Sequence, residues 1–264
     1  MFRRSKTVIS IDLKGVIASG ARAQLNNEAL SSIFTKLEKM KCDAISININ
    51  SPGGSPVQSS LIGNKIKSIA LKKKIKVYAF VEDVAASGGY WLACSADKIY
   101  ADNNSIIGSI GVISGGFGFT GLIKKIGVER RIFTAGQNKS FLDPFSPVNK
   151  TDLNKLKKIQ NNIHANFISW VKSSRGKKIK SSNEKEIFSG SFWLAKEAKS
   201  LGLIDDIGSE SRTLKSIFGE KVKIKKIKQA KSLKQKLGLG IHQDYVSTLF
   251  DKLREEQLFS KYGL

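Results

Sequence analysis

The chain alternates between short apolar runs rich in β-branched residues and longer stretches whose apolar positions have helical spacing. The first run, Thr7–Leu13, predicts a strand, and Glu28–Met40 places its apolar residues on one face of a helix. The same reasoning predicts four further elements: strand Ala44–Ile49, helix Val57–Ala70, strand Ile75–Val81 and helix Ser87–Ala96. Strands separated by helices of this length favour βαβ units and a mostly parallel sheet, so we expect an α/β fold.

The second half of the chain has shorter segments and more glycine. Arg130–Thr134 has the character of a strand, and a long amphipathic helix is expected from Asp152 to about Ser174. Trp193–Leu201 predicts another helix, which Gly202 ends.

A lysine-rich stretch follows this region. Residues 221–236 contain eight lysines and no acidic residue, which predicts a linker or a solvated face. Farther on, apolar residues recur every four positions, at Ile241, Tyr245, Leu249 and Leu253. This spacing predicts a helix. We expect it to pack on its own domain or on a neighbouring subunit, or to lie on a membrane surface together with the lysines. We place the main domain at 1–218 and a basic linker with a helical C-terminal extension at 219–264.

Two turns of small residues follow predicted strands. One is Asn50–Gly54, and the other holds Ser87 between alanines and the glycines Gly88 and Gly89. In parallel α/β sheets such turns meet at the carboxyl edge, where ligands bind. A serine does chemistry when its Oγ is exposed and lies close to a proton acceptor and to oxyanion donors. Ser87 is therefore a candidate nucleophile, and the Asn50–Gly54 turn could supply an oxyanion N–H.

A nucleophilic serine also needs a base. The two histidines, His164 and His242, lie far downstream and suggest no triad order. Lysine can serve instead when burial disfavours its ammonium form. Lys139 stands out because it follows a glycine turn and precedes apolar residues such as Phe141 and Phe145. A lysine in such an apolar loop can be buried beside the glycine-lined edge.

Two glycine-containing segments resemble nucleotide-binding motifs, but neither supports nucleotide binding. Gly116–Gly121 matches G-x-G-x-x-G, yet it lies midway along the chain and Asp143 is in a loop, away from any strand end. A loop whose backbone approaches a neighbour or a ligand explains the glycines better. Gly136–Ser140 resembles the end of a phosphate loop, but Asn138 replaces the required glycine. No cofactor is expected.

The composition is that of a globular protein with an unusual charge. Hydrophobic residues make up 41% of the 264 positions, and the formal net charge is +23. The basic residues are mostly lysine, and no run interleaves arginine with aromatic residues, so nucleic-acid binding is not favoured. Attraction to an anionic membrane surface remains open.

The sequence gives little support for a metal site or a disulfide. Cys42 and Cys94 lie in apolar sequence, so we expect them to be buried free thiols, and their spacing is not that of metal ligands. The N-terminus lacks the apolar region of a signal peptide, and no apolar stretch approaches the roughly 20 residues of a membrane span. We expect a cytoplasmic protein without a metal site, which could associate peripherally with the inner membrane.

Four segments together resemble the signal peptide peptidase A family of Ser-Lys peptidases. In order, they are Asn50–Gly54, Asp83–Tyr90, Gly108–Val112 and Ala135–Ser140, within a resemblance that runs from about Thr7 to Phe218. This family has a crotonase-like fold related to the Clp protease proteolytic subunit. The resemblance therefore implies repeated ββα units with a mostly parallel sheet.

The resemblance also implies roles for individual residues. Ser87 matches the nucleophile, and Lys139, 52 positions downstream, matches the general base. Ser109 matches the hydroxyl that orients the base, and the N–H groups of Gly54 and Gly88 match the oxyanion hole.

The expected function is that of a serine endopeptidase which degrades signal peptides or other short or unfolded peptides. Single-domain members form homo-oligomeric rings in which adjacent protomers share an active site. Many members also carry a membrane anchor or a duplicated domain, and this sequence shows neither.

Two other classes of function stay open. A crotonase-type acyl-CoA enzyme shares the fold, but it normally uses acidic residues at its site. A non-catalytic scaffold could bind anionic membranes or RNA through its positive charge.

Overall fold

A computed structural model describes residues 5–20, 23, 25–136, 138–227, 253 and 255–264. Eight strands form one sheet. They are β1 (Thr7–Lys14), β2 (Ala44–Ser51), β3 (Lys76–Ala86), β4 (Lys98–Ala101), β5 (Ile106–Gly108), β6 (Phe192–Leu194), β7 (Asp206–Ile207) and β8 (Lys223–Ile227).

The sheet is parallel except at one pairing. Its main path runs β6-β5-β3-β2-β1-β8, while β4 pairs with both β3 and β7. Among the described strands, β5 and β6 are the pair that is antiparallel. The long central strands β1, β2 and β3 are almost continuously buried, which explains their β-branched composition.

The helices are short apart from two. They are α1 (Ser31–Lys39), α2 (Pro56–Lys73), α3 (Gly88–Ala93), α4 (Thr120–Lys125), α5 (Lys150–Arg175), α6 (Glu184–Ile187), α7 (Ala195–Ser200) and α8 (Glu210–Phe218). Ser55 caps α2 by accepting a hydrogen bond from the Gln58 N–H at 3.4 Å, and Pro56 begins that helix. Residues 255–260 are also helical.

The chain divides into two compact units. The first comprises residues 1–111 and 167–264 and contains the whole sheet, and the second comprises residues 112–166. The core of the first unit is built from the central strands together with buried residues of α1, α2 and α3. In the second unit, α4 and the first part of α5 accompany a largely irregular segment.

Several sequence-based expectations for individual elements were wrong. Arg130–Thr134 is exposed and irregular, because it has no partner strand among the described residues. The predicted helix Trp193–Leu201 begins instead as β6 and becomes helical only in α7. Lys223–Ile227, within the predicted linker, pairs with β1 as β8. The predicted helix from Ile241 onward falls mostly outside the described residues.

Candidate active site

Ser87 occupies a turn between β3 and α3. Its backbone has φ +52° and ψ −120°, a region that residues with a Cβ rarely adopt. The Ser87 N–H donates to the Gly108 carbonyl at 2.8 Å, and the Trp91 N–H donates to the Ser87 carbonyl at 3.0 Å. Ser87 stands at the N-cap of α3, but its hydroxyl makes no capping hydrogen bond. The fold holds the serine backbone firmly and leaves the residue partly exposed.

The Asn50–Gly54 turn packs directly against Ser87. A Cβ on Gly53 would lie 2.7 Å from the Gly88 nitrogen and 2.8 Å from the Ser87 Cβ. Gly53 also has φ +103°, so both its space and its conformation require glycine. The structure thus brings together the two small-residue turns of the sequence.

Two backbone N–H groups next to this contact take no part in the neighbouring backbone hydrogen bonds. The bridge between Ile17 and Gly54 is formed by the Gly53 carbonyl and the Ser55 N–H, so the Gly54 N–H takes no part in it. Gly88 is the first residue of α3, and an N–H at that position has no acceptor within its own helix. These donors are the ones that the sequence predicts for an oxyanion hole.

Ser109 lies at the same edge of the sheet as Ser87. The parallel pairing of β3 with β5 sets Ala86 opposite Gly108, so each serine follows the last paired residue of its strand. Ser109 also has a positive φ, +53°, and its N–H donates to the Ser191 carbonyl at 2.7 Å. Its side chain is buried and accepts a hydrogen bond from the Tyr262 hydroxyl at 3.2 Å.

Lys139 belongs to the second unit and is exposed there, so its own apolar loop does not bury it. The aromatic neighbours of Lys139 pack elsewhere. Phe145 stacks on Phe119 with ring centroids 5.4 Å apart, and the ring of Phe141 faces the Lys155 ammonium at 5.7 Å. Lys139 itself stands in a turn, where its N–H donates to the Gly136 carbonyl.

The glycines of Gly116–Gly121 do not approach other backbone within this structure. A Cβ on Gly116, Gly118 or Gly121 would meet nothing within 4 Å. His164 lies on α5 in the second unit, and His242 lies outside the described residues.

The carboxylates that precede Ser87 in β3 are already engaged. Glu82 accepts a hydrogen bond from the Lys14 ammonium at 2.5 Å, and Asp83 accepts one from the Asn50 amide. In the part of the chain that the structure describes, no group of three or more His, Cys, Asp or Glu residues could hold a metal ion.

Sequence reasoning missed Tyr262 and Ser191 at this site. Ser191 contributes only its carbonyl, which leaves no trace in residue type. Burial raises the pKa of Tyr262, and its hydrogen bond to Ser109 partly offsets that effect. The signal that could have found Tyr262 is the apolar spacing of Leu258, Phe259 and Tyr262, which continues beyond Leu253.

A hydroxyl on a strained turn, set against a glycine turn at the carboxyl edge of a parallel sheet, is an arrangement of serine-type hydrolases. A family model for peptidase family S49 matches residues 69–224. The chain belongs to this family. The N-terminal domain of NfeD1b also matches, over residues 11–119.

Two relatives are similar to this chain over most of its length, and one of them is named as a protease. A protein of Synechocystis sp. named as a candidate protease is 31% identical, over 94% of this chain and 88% of its own length. A Brucella abortus protein named Na(+)/H(+) antiporter NhaA is 44% identical over 100% of this chain. The chain spans only 38% of that longer protein. Among the described residues, no helix is long and apolar enough to cross a membrane.

Solved structures confirm the predicted crotonase- and Clp-protease-like fold. The 1510-N membrane-bound stomatin-specific protease, as a lysine-to-alanine mutant in complex with a substrate peptide, superposes with a TM-score of 0.53. The match has 19% identity and covers 89% of this chain and 97% of the other. A serine-to-alanine mutant of the same protease gives a TM-score of 0.54 at 19% identity, over 86% of this chain and 100% of that one.

Proposed function

We propose that this chain is a serine peptidase that uses Ser87 as nucleophile and Lys139 as general base. The neutral amine of Lys139 takes the Ser87 proton, and the serine oxygen attacks the scissile carbonyl to form a tetrahedral intermediate. The amine returns the proton to the leaving nitrogen, which departs as the acyl-enzyme forms. Lys139 then activates the water that hydrolyses the ester.

The Gly54 and Gly88 N–H groups stabilise the oxyanion in this proposal. Losing one such donor typically costs about 10²–10³ in rate. Ser109 orients the Lys139 amine through a hydrogen bond. The observation that carries the proposal is the strained turn of Ser87 packed against Gly53, in a chain of peptidase family S49.

Exposure of Lys139 supports a ring of subunits as the active form. Lysine serves as a base when burial disfavours its ammonium form. We propose that a neighbouring copy buries Lys139 and that adjacent protomers share each site. Large apolar side chains of the second unit are also exposed, among them Ile113, Phe117 and Phe133 at 84%, 82% and 92%.

The proposed substrates are signal peptides or other short or unfolded peptides, because a chamber within a ring excludes folded domains. Free thiols at Cys42 and Cys94 fit a reducing compartment, so we place the protein in the cytoplasm. Its net charge of +23 favours peripheral contact with the anionic inner membrane.

Fluorophosphonate labelling of the full chain tests the dyad. Labelling should be lost in Ser87→Ala, and it should fall at least about a hundredfold in Lys139→Ala, because the two residues act as a unit. Lys125→Ala, an exposed lysine of the same unit, should label like wild type. Undiminished casein digestion by Ser87→Ala or Lys139→Ala would refute the proposal.

The same probe separates the two other classes of function. A crotonase-type acyl-CoA enzyme has no nucleophilic serine and would not be labelled. The engagement of Glu82 with Lys14 and of Asp83 with Asn50 also gives that reaction no free carboxylate in this part of β3. Salt-sensitive binding to anionic vesicles or RNA without labelling would instead favour a scaffold.

A further inference from the structure

Strand β3 is irregular just before Ser87. Residues 49–51 of β2 lie opposite residues 81–85 of β3, so β2 advances by two residues while β3 advances by four. The strand therefore carries two extra residues here, which form a β-bulge. Glu82 and Asp83 belong to none of the registers that β3 forms with the described strands β2, β4 and β5.

The bulge coincides with a change of neighbour on the side of β3 away from β2. Up to Val81 the strand pairs with β4, and from Val84 onward it pairs with β5. Ser105 lies between those two neighbours in the chain and is fully buried. Its hydroxyl is within hydrogen-bond distance of the Val81 carbonyl, at 3.2 Å, and of the Glu82 carbonyl. A buried serine thus holds the backbone of the bulge where the neighbours meet.

The opposite side of the bulge is tied to the Asn50–Gly54 turn. The side-chain amide of Asn50 donates a hydrogen bond to the Asp83 carboxylate. The Asn50 Oδ1 is buried and has no hydrogen-bond partner in the described part of the chain, so the bond to Asp83 is the one that orients this side chain. The carboxylate therefore connects the bulge of β3 to the turn that carries the proposed oxyanion donor Gly54.

The two extra residues decide which part of β3 meets the glycine turn. If the earlier register continued without a bulge, Gly53 would lie level with Ala85, and Ser87 would lie about 7 Å farther along the strand. With the bulge, Ala85 pairs with Ser51 instead. A Cβ on Gly53 would accordingly lie 2.8 Å from the Ser87 Cβ. The bulge brings the serine level with the turn.

We propose that Asp83 and Ser105 are positioning residues, which act through this bulge to keep the nucleophile and the oxyanion hole at the distance that attack on a carbonyl requires. The inference rests on the roles proposed for Ser87 and Gly54. Asp83 acts on the glycine turn through Asn50, and Ser105 acts on the course of β3 through two carbonyls of the bulge. A misplacement of about 1 Å in such a site can cost about a hundredfold in rate.

Substitutions of Asp83 in the full chain test this role, because the residue is exposed and its replacement should leave the fold intact. Asp83→Ala should lower kcat for casein digestion about ten- to a hundredfold with little change in KM, since the position of the turn matters in the transition state. Asp83→Asn keeps an oxygen that accepts from Asn50 and should recover most of that loss. Glu82→Ala, which removes a surface pairing with Lys14 from the adjacent bulge residue, should match wild type.

A double-mutant cycle and a second residue extend the test. Asn50→Ala should lower kcat about as much as Asp83→Ala, and the double variant should lower it no further, because the two side chains act through one hydrogen bond. Ser105→Ala should also lower kcat. Ser95→Ala is its control, because Ser95 is a buried serine whose hydroxyl donates to the Leu92 carbonyl, and it should leave kcat unchanged. Thermal melts give the folded fraction by which each kcat is corrected.

The outcomes distinguish this inference from the proposed function beneath it. Unchanged kcat in Asp83→Ala and Ser105→Ala, with digestion abolished by Ser87→Ala, would overturn the positioning role and leave the peptidase proposal standing. A loss in Asp83→Ala that Asp83→Asn does not recover would assign the effect to charge and would also overturn that role. Failure of the fluorophosphonate to label wild type would overturn the role of Ser87 and this inference with it.

Discussion

Ser87 and Ser109 are two non-glycine residues of the active-site edge with positive φ angles, +52° and +53°. A backbone held in a sparsely populated region costs of order 1–3 kcal/mol and persists only where the surroundings enforce it. Here the hydrogen bonds to Gly108 and Ser191 enforce it. This backbone conformation places each hydroxyl at the end of its strand. In ordinary extended backbone, the side chain would point to a face of the sheet instead.

Replacing Ser87 by glycine should therefore stabilise the fold while it removes the proposed nucleophile. We expect Ser87→Gly to have a free energy of unfolding about 1 kcal/mol higher than Ser87→Ala, because only alanine keeps the strained Cβ. Both variants lack Oγ and should be inactive, so the comparison isolates the backbone. Urea unfolding at pH 7 measures the difference, and equal stability would mean that the turn is not strained.

At the scale of elements, one carboxylate joins several pieces of the first unit. Asp205, just before β7, accepts hydrogen bonds from Arg175 at the end of α5, from Lys178 and from the Ile99 N–H of β4. Arg175 is fully buried and Asp205 is nearly so. Burial alone would raise the pKa of Asp205, but hydrogen bonds from Lys178, Ile99 and Arg175 outweigh it and hold the pKa well below its usual value.

Removing this carboxylate should be costly. Asp205→Asn leaves the Arg175 guanidinium buried beside a neutral amide, and we expect a loss of about 3–5 kcal/mol in the free energy of unfolding. Asp206→Asn is the matched control, because Asp206 pairs with Lys199 at the surface and should change stability little. Equal effects of the two substitutions would contradict the assigned role of Asp205.

The effect of Asp205 should also depend on pH. Because its pKa is lower in the folded state than in the unfolded state, its stabilisation is complete above the usual carboxyl pKa of about 4. As the pH falls below 4, the unfolded chain takes up the proton first and the stabilisation declines. The difference in stability between wild type and Asp205→Asn should therefore shrink between pH 5 and pH 3 in urea unfolding experiments.

The long elements of this fold could be predicted from sequence and the short ones could not. Thr7–Leu13 and Ala44–Ile49 correspond closely to β1 and β2, because strands buried on both faces read as continuous apolar runs. Strands such as β6 and β8, of 3 and 5 residues, have no such run and exist through their partners β5 and β1. The candidate site shows the same contrast between local and long-range signals. Local small-residue turns indicated Ser87 and Gly54, whereas the contact of Tyr262 with Ser109 joins residues 153 positions apart and leaves no local signal.

At the scale of the whole molecule, we propose that catalysis needs more than one copy of the chain. The second unit carries Lys139 in solvent and also exposes Phe117 and Phe133. Monomeric proteins rarely expose large contiguous apolar patches. A neighbouring subunit would bury them, and the same contact would remove water from the lysine.

Disrupting this surface should separate assembly from chemistry. The double variant Phe117→Ser/Phe133→Ser should become monomeric in light scattering and should lose labelling at Ser87, although Ser87 and Lys139 are intact. Leu71→Ser, which changes a side chain 80% exposed on α2, should remain oligomeric and labelled. A fully active monomer would show that one chain forms its own site.

The pairing of Ala86 with Gly108 also constrains how this chain can change during evolution. Both serines are reached by counting along paired strands, so one residue inserted within 84–87 or 106–109 would move a hydroxyl to the wrong face of the sheet. Residues 102–104 lie in the turn between β4 and β5 and do not share that limit. Insertions and deletions should therefore collect in that turn, while the flanking strands change only by substitution.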